Sequence, residues 1–132
     1  MDRALPLATH PLHLGPDGQA VALPPFTGPD WYADYETAHG ADGAHGRLVS
    51  LHHFTGDWDT WEMHPLGAEV VICIAGAATL IQRGDDGKHR RIPLATGDHA
   101  INPPGVWHTA DVPAAASLIF ITVGTATQGQ PR

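Results

Sequence analysis

The chain is short of charge, of basic residues and of long apolar runs. Charged residues make up 16% of its 132 residues, whereas about 25% is typical of globular domains. Its 7 lysines and arginines stand against 14 aspartates and glutamates, which gives a net charge of -7. Because nucleic acids are bound by basic faces, we expect no nucleic-acid partner. No stretch approaches the roughly 20 apolar residues of a membrane span, so we expect no membrane partner either.

Cysteine is nearly absent. The single residue, Cys73, cannot form a disulfide within the chain, and we expect a fold that does not depend on oxidation. It lies in the apolar run 70–74 with no adjacent base, which predicts a buried structural thiol. Residues 1–6 lack the charged-then-apolar layout of a secretory signal. These features together predict a cytoplasmic protein.

Turn-forming residues are abundant. The 15 glycines and 12 prolines make up about a fifth of the chain, against roughly 12% in an average domain. Such a chain has little room for long helices, and its 42% hydrophobic content is sufficient for a core. We therefore predict one all-β domain over residues 1–132. Histidine is also frequent, with 10 residues, and its positions matter because imidazole is a common metal ligand.

The distribution of prolines and glycines predicts how the domain is organised. Prolines throughout residues 1–28 indicate an extended N-terminal arm, with an edge strand near 19–23. A short N-terminal helix is expected just after it, capped by Asp30 and closed by Gly40 in a left-handed conformation. Residues 46–123 are expected to form the barrel core, and the polar residues 124–132 a loose tail.

The core region reads as a series of short strands separated by turn signals. The expected strands are 47–55, 58–64, 69–75, 77–83, 88–94, 99–102, 106–112 and 117–123. Asp86-Gly87, between two apolar runs, is typical of a hairpin turn. Eight short strands without long intervening helices favour a sandwich or a barrel over a βαβ sheet.

Three side chains with metal-ligand chemistry are expected to meet at one hairpin. Alternate residues of a strand share a face, so Glu62 and His64 point the same way. A Pro65-Leu66-Gly67 turn follows, and Glu69 then opens the next strand beside them. Much later in the chain, His108 follows another tight turn.

At these residues the sequence resembles the cupin superfamily. The first motif of that superfamily is G-x5-H-x-H-x4-E-x6-G, and Gly56, Glu62, His64, Glu69 and Gly76 reproduce its spacing in full. The leading histidine is replaced by Glu62. This departure leaves open whether the fourth ligand position is kept.

The second cupin motif, G-x5-P-x-G-x2-H-x3-N, is also similar to this sequence. Gly97, Pro103, Gly105 and His108 reproduce its spacing, whereas Val112 stands where the asparagine is expected. Twenty residues separate the two motifs, as in compact single-domain cupins. The resemblance implies an all-β double-stranded β-helix, a jelly-roll cupin barrel with a short N-terminal helix.

The resemblance also implies one divalent metal ion near the mouth of the barrel. By position, His64, Glu69 and His108 are the expected ligands, and Glu62 is either the fourth ligand or a catalytic acid/base group held off the metal. Two imidazoles and two carboxylates favour Fe or Mn, and Zn or Ni also fit. If the barrel has lost its metal, the same residues would serve as hydrogen-bonding groups.

Two functions follow from this resemblance. The first is a small metalloenzyme of oxygenase or isomerase type that acts on a small polar molecule, with the metal as Lewis acid. The alternative is a non-catalytic binding or sensing barrel, with or without a metal. Either His52 or His53 could line the pocket, depending on which face of their strand points inward. The apolar faces of Trp61 and Trp107, which with Met63 lie opposite the ligands, indicate packing or a homodimer contact.

Overall fold

The computed structural model describes residues 2–132, which form ten strands, one α-helix and two 3-10 turns. The helix, α1, spans Trp31–His39, and the 3-10 turns span Pro16–Gly18 and Gly40–His45. The strands are β1 Leu12–Leu14, β2 Ala20–Ala22, β3 Arg47–Phe54, β4 Thr60–Met63, β5 Glu69–Arg83, β6 His89–Ala95, β7 His99–Asn102, β8 His108–Asp111, β9 Ala116–Thr122 and β10 Gln128–Pro131. Within the described residues, no helix has the length and hydropathy to cross a membrane.

The strands build two antiparallel sheets that share the long strand β5. Sheet I has the order β2-β1-β3-β9-β5-β7 and uses the first half of β5. Sheet II has the order β10-β4-β8-β5-β6 and uses the second half. This arrangement, with one short helix before it, confirms the all-β jelly-roll fold expected from the sequence.

The larger of two apolar clusters packs between the two sheets. Strand β9 shows why, because every second residue from Ala116 to Thr122 is buried, as the period of a half-buried strand requires. The cluster consists of Val71, Cys73, Ala78, Leu80, Leu94, Ala100, Ala110, Val112, Ala116, Leu118 and Phe120. Cys73 is fully buried within it, which confirms the expectation of a structural thiol.

Strand β5 is continuous, whereas the sequence predicted two strands separated by Gly76. A bulge between Cys73 and Ala75 and a left-handed glycine, Gly76 at φ 72°, redirect the strand from one sheet to the other. The turn signal was therefore correct, but it marks a bend inside a strand. A Cβ at position 76 would lie 2.0 Å from the carbonyl oxygen of Ala115.

Helix α1 is held by aromatic packing. Its Trp31 and Tyr35 rings stack with centroids 5.6 Å apart, and both are buried against Leu23 and Leu48. Asp30 and Gly40 occupy the two cap positions as predicted, but the expected capping interactions are wrong. Asp30 makes no side-chain capping bond, and Gly40 has φ -60°, which is right-handed. The chain continues directly into the 3-10 turn Gly40–His45, so no left-handed stop is needed.

The N-terminal arm is more ordered than the sequence indicated. Strands β1 and β2 form a hairpin that extends sheet I beside β3, and β2 corresponds to the predicted edge strand. In β1, His13 is almost fully buried and its ring bonds Tyr35 Oη at 2.7 Å and Asp42 Oδ2 at 2.6 Å. These polar contacts fasten the arm to α1 and to the turn after it.

The prediction of a loose tail over 124–132 was wrong. Strand β10 pairs with β4, with Gly129 opposite Glu62. At its end Arg132 donates from Nη2 to Asp111 Oδ1 at 2.5 Å and from Nη1 to the Trp58 carbonyl at 3.1 Å. The segment is polar because its attachment uses backbone hydrogen bonds and one ion pair, which leave no hydrophobic signature in the sequence.

The bend in β5 gives a direct test of the fold. We expect Gly76→Ala to lower the free energy of unfolding by at least about 2 kcal/mol, because its φ is left-handed and the new Cβ would meet a backbone oxygen. Gly56→Ala is the matched control, since position 56 is exposed with open space around it. It should change stability by less than about 0.5 kcal/mol. Urea unfolding followed by circular dichroism measures both, and equal stability of the two variants would contradict the role of Gly76.

Candidate metal centre

The four predicted ligands lie where the two sheets approach each other. Glu62 on β4 is opposite His108 on β8, and His108 is in turn opposite Gln82 on β5, so these side chains form a row across sheet II. His64 directly follows β4. Glu69 is the first residue of β5, in the part of that strand that belongs to sheet I.

The structure brings these four side chains together. Potential ligand atoms of Glu62, His64 and His108 all lie within 4.8 Å of one another. Glu69 contacts both imidazoles, with 3.1 Å from its Oε2 to His64 Nε2 and 3.2 Å from its Oε1 to His108 Nε2. The predicted convergence is therefore present in the fold.

The two imidazoles are oriented as metal-binding histidines usually are. His64 Nδ1 is 2.9 Å from Thr127 Oγ1, and His108 Nδ1 donates to the carbonyl of Val106 at 3.2 Å. Since a carbonyl only accepts, the neutral His108 ring carries its proton on Nδ1 and has a lone pair on Nε2. Both Nε2 atoms are buried and lack a hydrogen-bond partner in residues 2–132. Two such atoms facing carboxylates fit a divalent cation.

Glu69 is held in place by two neutral donors that the sequence did not point out. Asn102 Nδ2 donates to its Oε1 at 3.0 Å, and Thr122 Oγ1 donates to its Oε2 at 2.7 Å. Gln82 Nε2 in turn donates to Asn102 Oδ1 at 2.9 Å. Strand periodicity could have placed these polar residues on the inner face, but it does not show which of them meet.

The surroundings shift the pKa values of the two glutamates in opposite directions. Burial alone would raise the pKa of Glu69, but the close imidazoles of His108 and His64 outweigh it and hold that pKa well below its usual range. The pKa of Glu62 is raised, by burial first and then by the charge of Glu69, although the two histidines oppose this. Near neutral pH Glu69 is therefore ionised, whereas Glu62 is the carboxyl group better suited to hold a proton.

The pKa of His108 is raised. Its burial acts in the opposite direction, but the contact with Glu69 outweighs burial, and the Val106 carbonyl and Glu62 add to the effect. Burial is the largest single influence on this pKa, and the neighbouring carboxylate together with the smaller contributions sets its net direction.

The cluster opens onto a cavity of about 840 Å³. Glu62, His64 and Glu69 line it, together with residues from β3, β9 and α1. The other lining residues are Tyr32, Ala33, Glu36, Leu48, Ser50, His52, Phe54, Asp57, Trp58, Asp59, Thr60, Phe120, Thr122, Gly124, Ala126 and Thr127. A small molecule of moderate size would fit next to Glu62, His64 and Glu69, whereas His108 is fully buried and does not line the cavity.

The cavity settles which of the two adjacent histidines points inward. Leu48, Ser50 and His52 alternate along β3 and all line the cavity. Burial lowers the pKa of His52, and the neighbouring His53 lowers it further. His53 is exposed and its Nδ1 lies 2.5 Å from Ser117 Oγ. Of the two alternatives left open by the sequence, His52 is therefore the pocket residue.

Helix α1 contributes to the cavity wall, which the sequence did not indicate. Its Tyr32, Ala33 and Glu36 face the cavity, whereas Trp31 and Tyr35 are buried against the barrel. Burial raises the pKa of Tyr32 and the charge of Glu62 raises it further, so this phenol stays protonated near neutral pH. The sequence predicts a helix here and contains no signal for a pocket beneath it.

Trp61, which the sequence placed opposite the ligands, is a packing residue. Its side chain is buried, the Arg83 guanidinium lies 4.4 Å from the centre of its ring, and the His89 ring is 5.1 Å away. The packing alternative of the sequence analysis therefore applies to this tryptophan.

A second group of possible ligands, His13, His39 and Asp42, lies near the end of α1, with ligand atoms within 4.8 Å of one another. Both ring nitrogens of His13 are already engaged, by Tyr35 and Asp42, and the His39 ring stacks on it at 4.2 Å. The group therefore serves as the polar fastening of the arm described above.

The support of Glu69 can be tested by removing one donor. Thr122→Val keeps the shape of the side chain but leaves the buried Glu69 Oε2 without its hydroxyl donor, so we expect a loss of about 1–3 kcal/mol in the free energy of unfolding. Thr122→Ser retains the hydroxyl and should lose less. Chemical denaturation in the presence of a chelator separates this effect from metal binding. A serine variant less stable than the valine variant would show that the hydrogen bond is unimportant.

Comparisons with known proteins agree on the fold. No protein-family model and no curated protein matches the sequence. Among solved structures, oxalate decarboxylase from Bacillus subtilis aligns with 73% of this chain and 26% of its own, at 17% identity and a TM-score of 0.57. Hydroquinone 1,2-dioxygenase from Sphingomonas sp. TTNP3, solved with 4-hydroxybenzoate bound, aligns over 58% of each chain at 16% identity and a TM-score of 0.52.

An oxalate oxidase aligns with 61% of this chain and 44% of its own, at 14% identity and a TM-score of 0.53. This chain thus spans between about a quarter and three fifths of these proteins, and at such identities the likeness concerns the fold alone. All three are members of the cupin superfamily. Together with the two motifs and the jelly-roll topology, they show that this chain has the cupin fold.

Proposed function

We propose that this protein binds one divalent metal ion through His64, Glu69 and His108, and that it is a small metalloenzyme acting on a small molecule in the adjacent cavity. The observation that carries the proposal is the pair of buried imidazole Nε2 atoms that lack hydrogen-bond partners and face a buried carboxylate. A protonated Nε2 would pair with Glu69, which is 3.1–3.2 Å away, but a neutral imidazole with its proton on Nδ1 turns a lone pair toward that carboxylate, which is costly unless a cation binds both. A metal ion at this point would do so.

Glu62 has two possible roles in this proposal, the fourth ligand or the acid/base group. Its raised pKa and its place on the cavity wall favour the exchange of a proton with a bound molecule. When bound, the metal would supply a Lewis acid and a template for substrate oxygen. The reaction would then be of oxygenase or isomerase type, with Glu62 moving the proton and Glu69 remaining ionised.

The donor set favours Fe or Mn, since it combines two imidazoles with two carboxylates, and Zn or Ni also fit. Two of the solved neighbours support this direction. The Bacillus subtilis oxalate decarboxylase contains Mn(II) centres, and the Sphingomonas enzyme is a dioxygenase. A non-catalytic binding barrel that uses the same cavity is the alternative.

Metal content is the deciding measurement. We expect close to one Fe, Mn, Zn or Ni per untagged chain by plasma mass spectrometry. His64→Ala should lower the metal affinity by at least about 100-fold, because it removes one of the two buried imidazoles. His99→Ala is the matched control, since His99 is an exposed histidine on β7 outside the cluster, and it should retain the metal.

The Glu62→Gln variant separates the two roles of this residue. Retention of the metal with loss of turnover would assign Glu62 to proton transfer, whereas loss of the metal would assign it as a ligand. A wild-type chain that takes up no metal, even after reconstitution, would contradict the metalloenzyme and leave the metal-free binding barrel as the function.

A homodimer and a cytoplasmic location remain predictions. The half-buried Trp107 and the exposed Ile74 and Ile101, on the outside of the barrel, would be covered in a dimer. We expect light scattering after size exclusion to give the mass of two chains at micromolar concentration. Ile101→Lys should shift that mass toward one chain, because it would bury a charge at the contact. A wild-type monomer would contradict the dimer.

A further inference from the structure

The charged side chains that line the cavity are carboxylates. Its carboxylate-bearing residues are Glu36, Asp57, Asp59, Glu62 and Glu69. Among the described residues, no lysine or arginine lines it. The chain as a whole has a net charge of -7 and so adds to the same sign. Because a concave site with low-dielectric walls concentrates such a field, the cavity is a region of negative potential.

A bound metal ion would not reverse this potential. A divalent ion offsets Glu69 and an ionised Glu62. If Glu62 is protonated, the ion leaves one surplus positive charge, which is fewer than the three carboxylates of Glu36, Asp57 and Asp59. None of these three forms an ion pair within residues 2–132. Asp57 accepts a hydrogen bond from the backbone N–H of Val112, which orients its carboxylate without neutralising it. An anionic ligand would meet like charges here, and like-charge contacts are strongly unfavourable.

The same cavity has an aromatic wall, formed by Phe54, Trp58 and Phe120. The ring centroids of Phe54 and Trp58 are 5.5 Å apart, those of Trp58 and Phe120 5.9 Å, and those of Phe54 and Phe120 6.2 Å. The Trp58 ring lies 6.4 Å from that of His108, so the wall reaches the candidate ligands. Such a surface favours flat aromatic ligands, and its ring faces also attract cations.

The size of the cavity points the same way. About 840 Å³ lies within the range of sites that enclose drug-sized molecules, roughly 300–1,000 Å³. A two-carbon diacid such as oxalate would leave most of this space unfilled and would gain nothing from the aromatic wall. A molecule with a six-membered ring would use both.

We propose that the cavity takes an aromatic molecule without a negative charge, and that it discriminates against aromatic carboxylates and small diacids. This inference rests on the proposed function, because the ligand would occupy the cavity beside Glu62, His64 and Glu69. The carboxylates exclude anions, the aromatic wall selects the ring, and Glu62 lines the space that the ligand would occupy.

Calorimetric titration of the full chain with four probes tests this proposal. The probes are 4-hydroxybenzyl alcohol, tyramine, 4-hydroxybenzoate and oxalate, which vary the charge on a common ring and then remove the ring. We expect the alcohol and tyramine to bind at least about 10-fold more tightly than 4-hydroxybenzoate, and oxalate to be the weakest, in chelator-treated protein and in protein loaded with Mn(II). Tighter binding of either anion than of the alcohol would overturn the proposal.

Variants that remove charges test whether the carboxylates of the cavity cause the discrimination against anionic ligands. Glu36→Gln combined with Asp59→Asn removes two exposed carboxylates of the cavity, and we expect it to strengthen 4-hydroxybenzoate binding about 3-fold and to weaken tyramine binding. Asp2→Asn combined with Asp85→Asn changes the net charge equally at exposed sites outside the cavity and should change neither. Equal effects of the two double variants would show that the lining does not discriminate.

The aromatic wall is tested with Phe54→Leu, which keeps an apolar side chain of similar size. We expect it to weaken binding of the alcohol about 3- to 10-fold while circular dichroism remains that of the wild type. Unchanged affinity would overturn the role of the wall, as would a wild-type chain that binds no ring compound at millimolar concentration.

The metal site and the ligand class can fail independently of each other. A chain that takes up no metal but prefers the neutral and cationic rings in chelator-treated form would contradict the metalloenzyme and retain the ligand class. A chain that binds its metal and has the same affinity for all four probes would contradict the ligand class and retain the metal site.

Discussion

The rest of the site depends on the contacts of one buried carboxylate, that of Glu69, with two imidazoles. An ionised carboxyl group that is 3% exposed is tolerated only if it is fully solvated by the protein. Asn102 and Thr122 supply hydrogen bonds from sheet I, and His64 and His108 supply close contacts from the side of sheet II. Polar groups from both sheets therefore meet around this one carboxylate.

This polar centre divides the interior of the barrel into two kinds of environment. Towards one part of β5 and β9 the interior is apolar, with Val71, Cys73 and Leu118 fully buried. Around the beginning of β5 the inward positions are polar and hydrogen-bonded. The apolar part supplies the free energy of folding, and the polar part is tolerated because its groups satisfy one another. Within residues 2–132, the buried side-chain nitrogens without a hydrogen-bond partner are the Nε2 atoms of His64 and His108 and the Nε1 of Trp58.

Much of this arrangement could be predicted from the sequence. Strand periodicity and turn residues gave the strands of the core to within a few residues, because a half-buried strand must alternate and its ends must turn. The motif spacing gave Glu62, His64, Glu69 and His108, which the fold does bring together. These are local patterns that a linear sequence carries directly.

The elements that could not be predicted depend on contacts between distant parts of the chain. Strand β10 is polar and pairs through its backbone with β4, so nothing in its composition distinguishes it from a loose tail. The Asn102 and Thr122 contacts to Glu69 span 33 and 53 residues, respectively. Helix α1 covers a cavity that exists only once β3 and β9 are in place. Pairing of this kind is decided by the assembled fold.

The division of β5 between the two sheets has a consequence for how the site comes into being. Glu69 is the first residue of β5, in the half that belongs to sheet I. His108 is on β8, which pairs with the other half of β5, in sheet II. The ligand set therefore exists only after both sheets have closed, and long-range closures of this kind come late because the chain must first lose the entropy of large loops. An ion held by these residues would therefore bind to the fully folded chain, since a partly folded chain lacks the complete set of ligands.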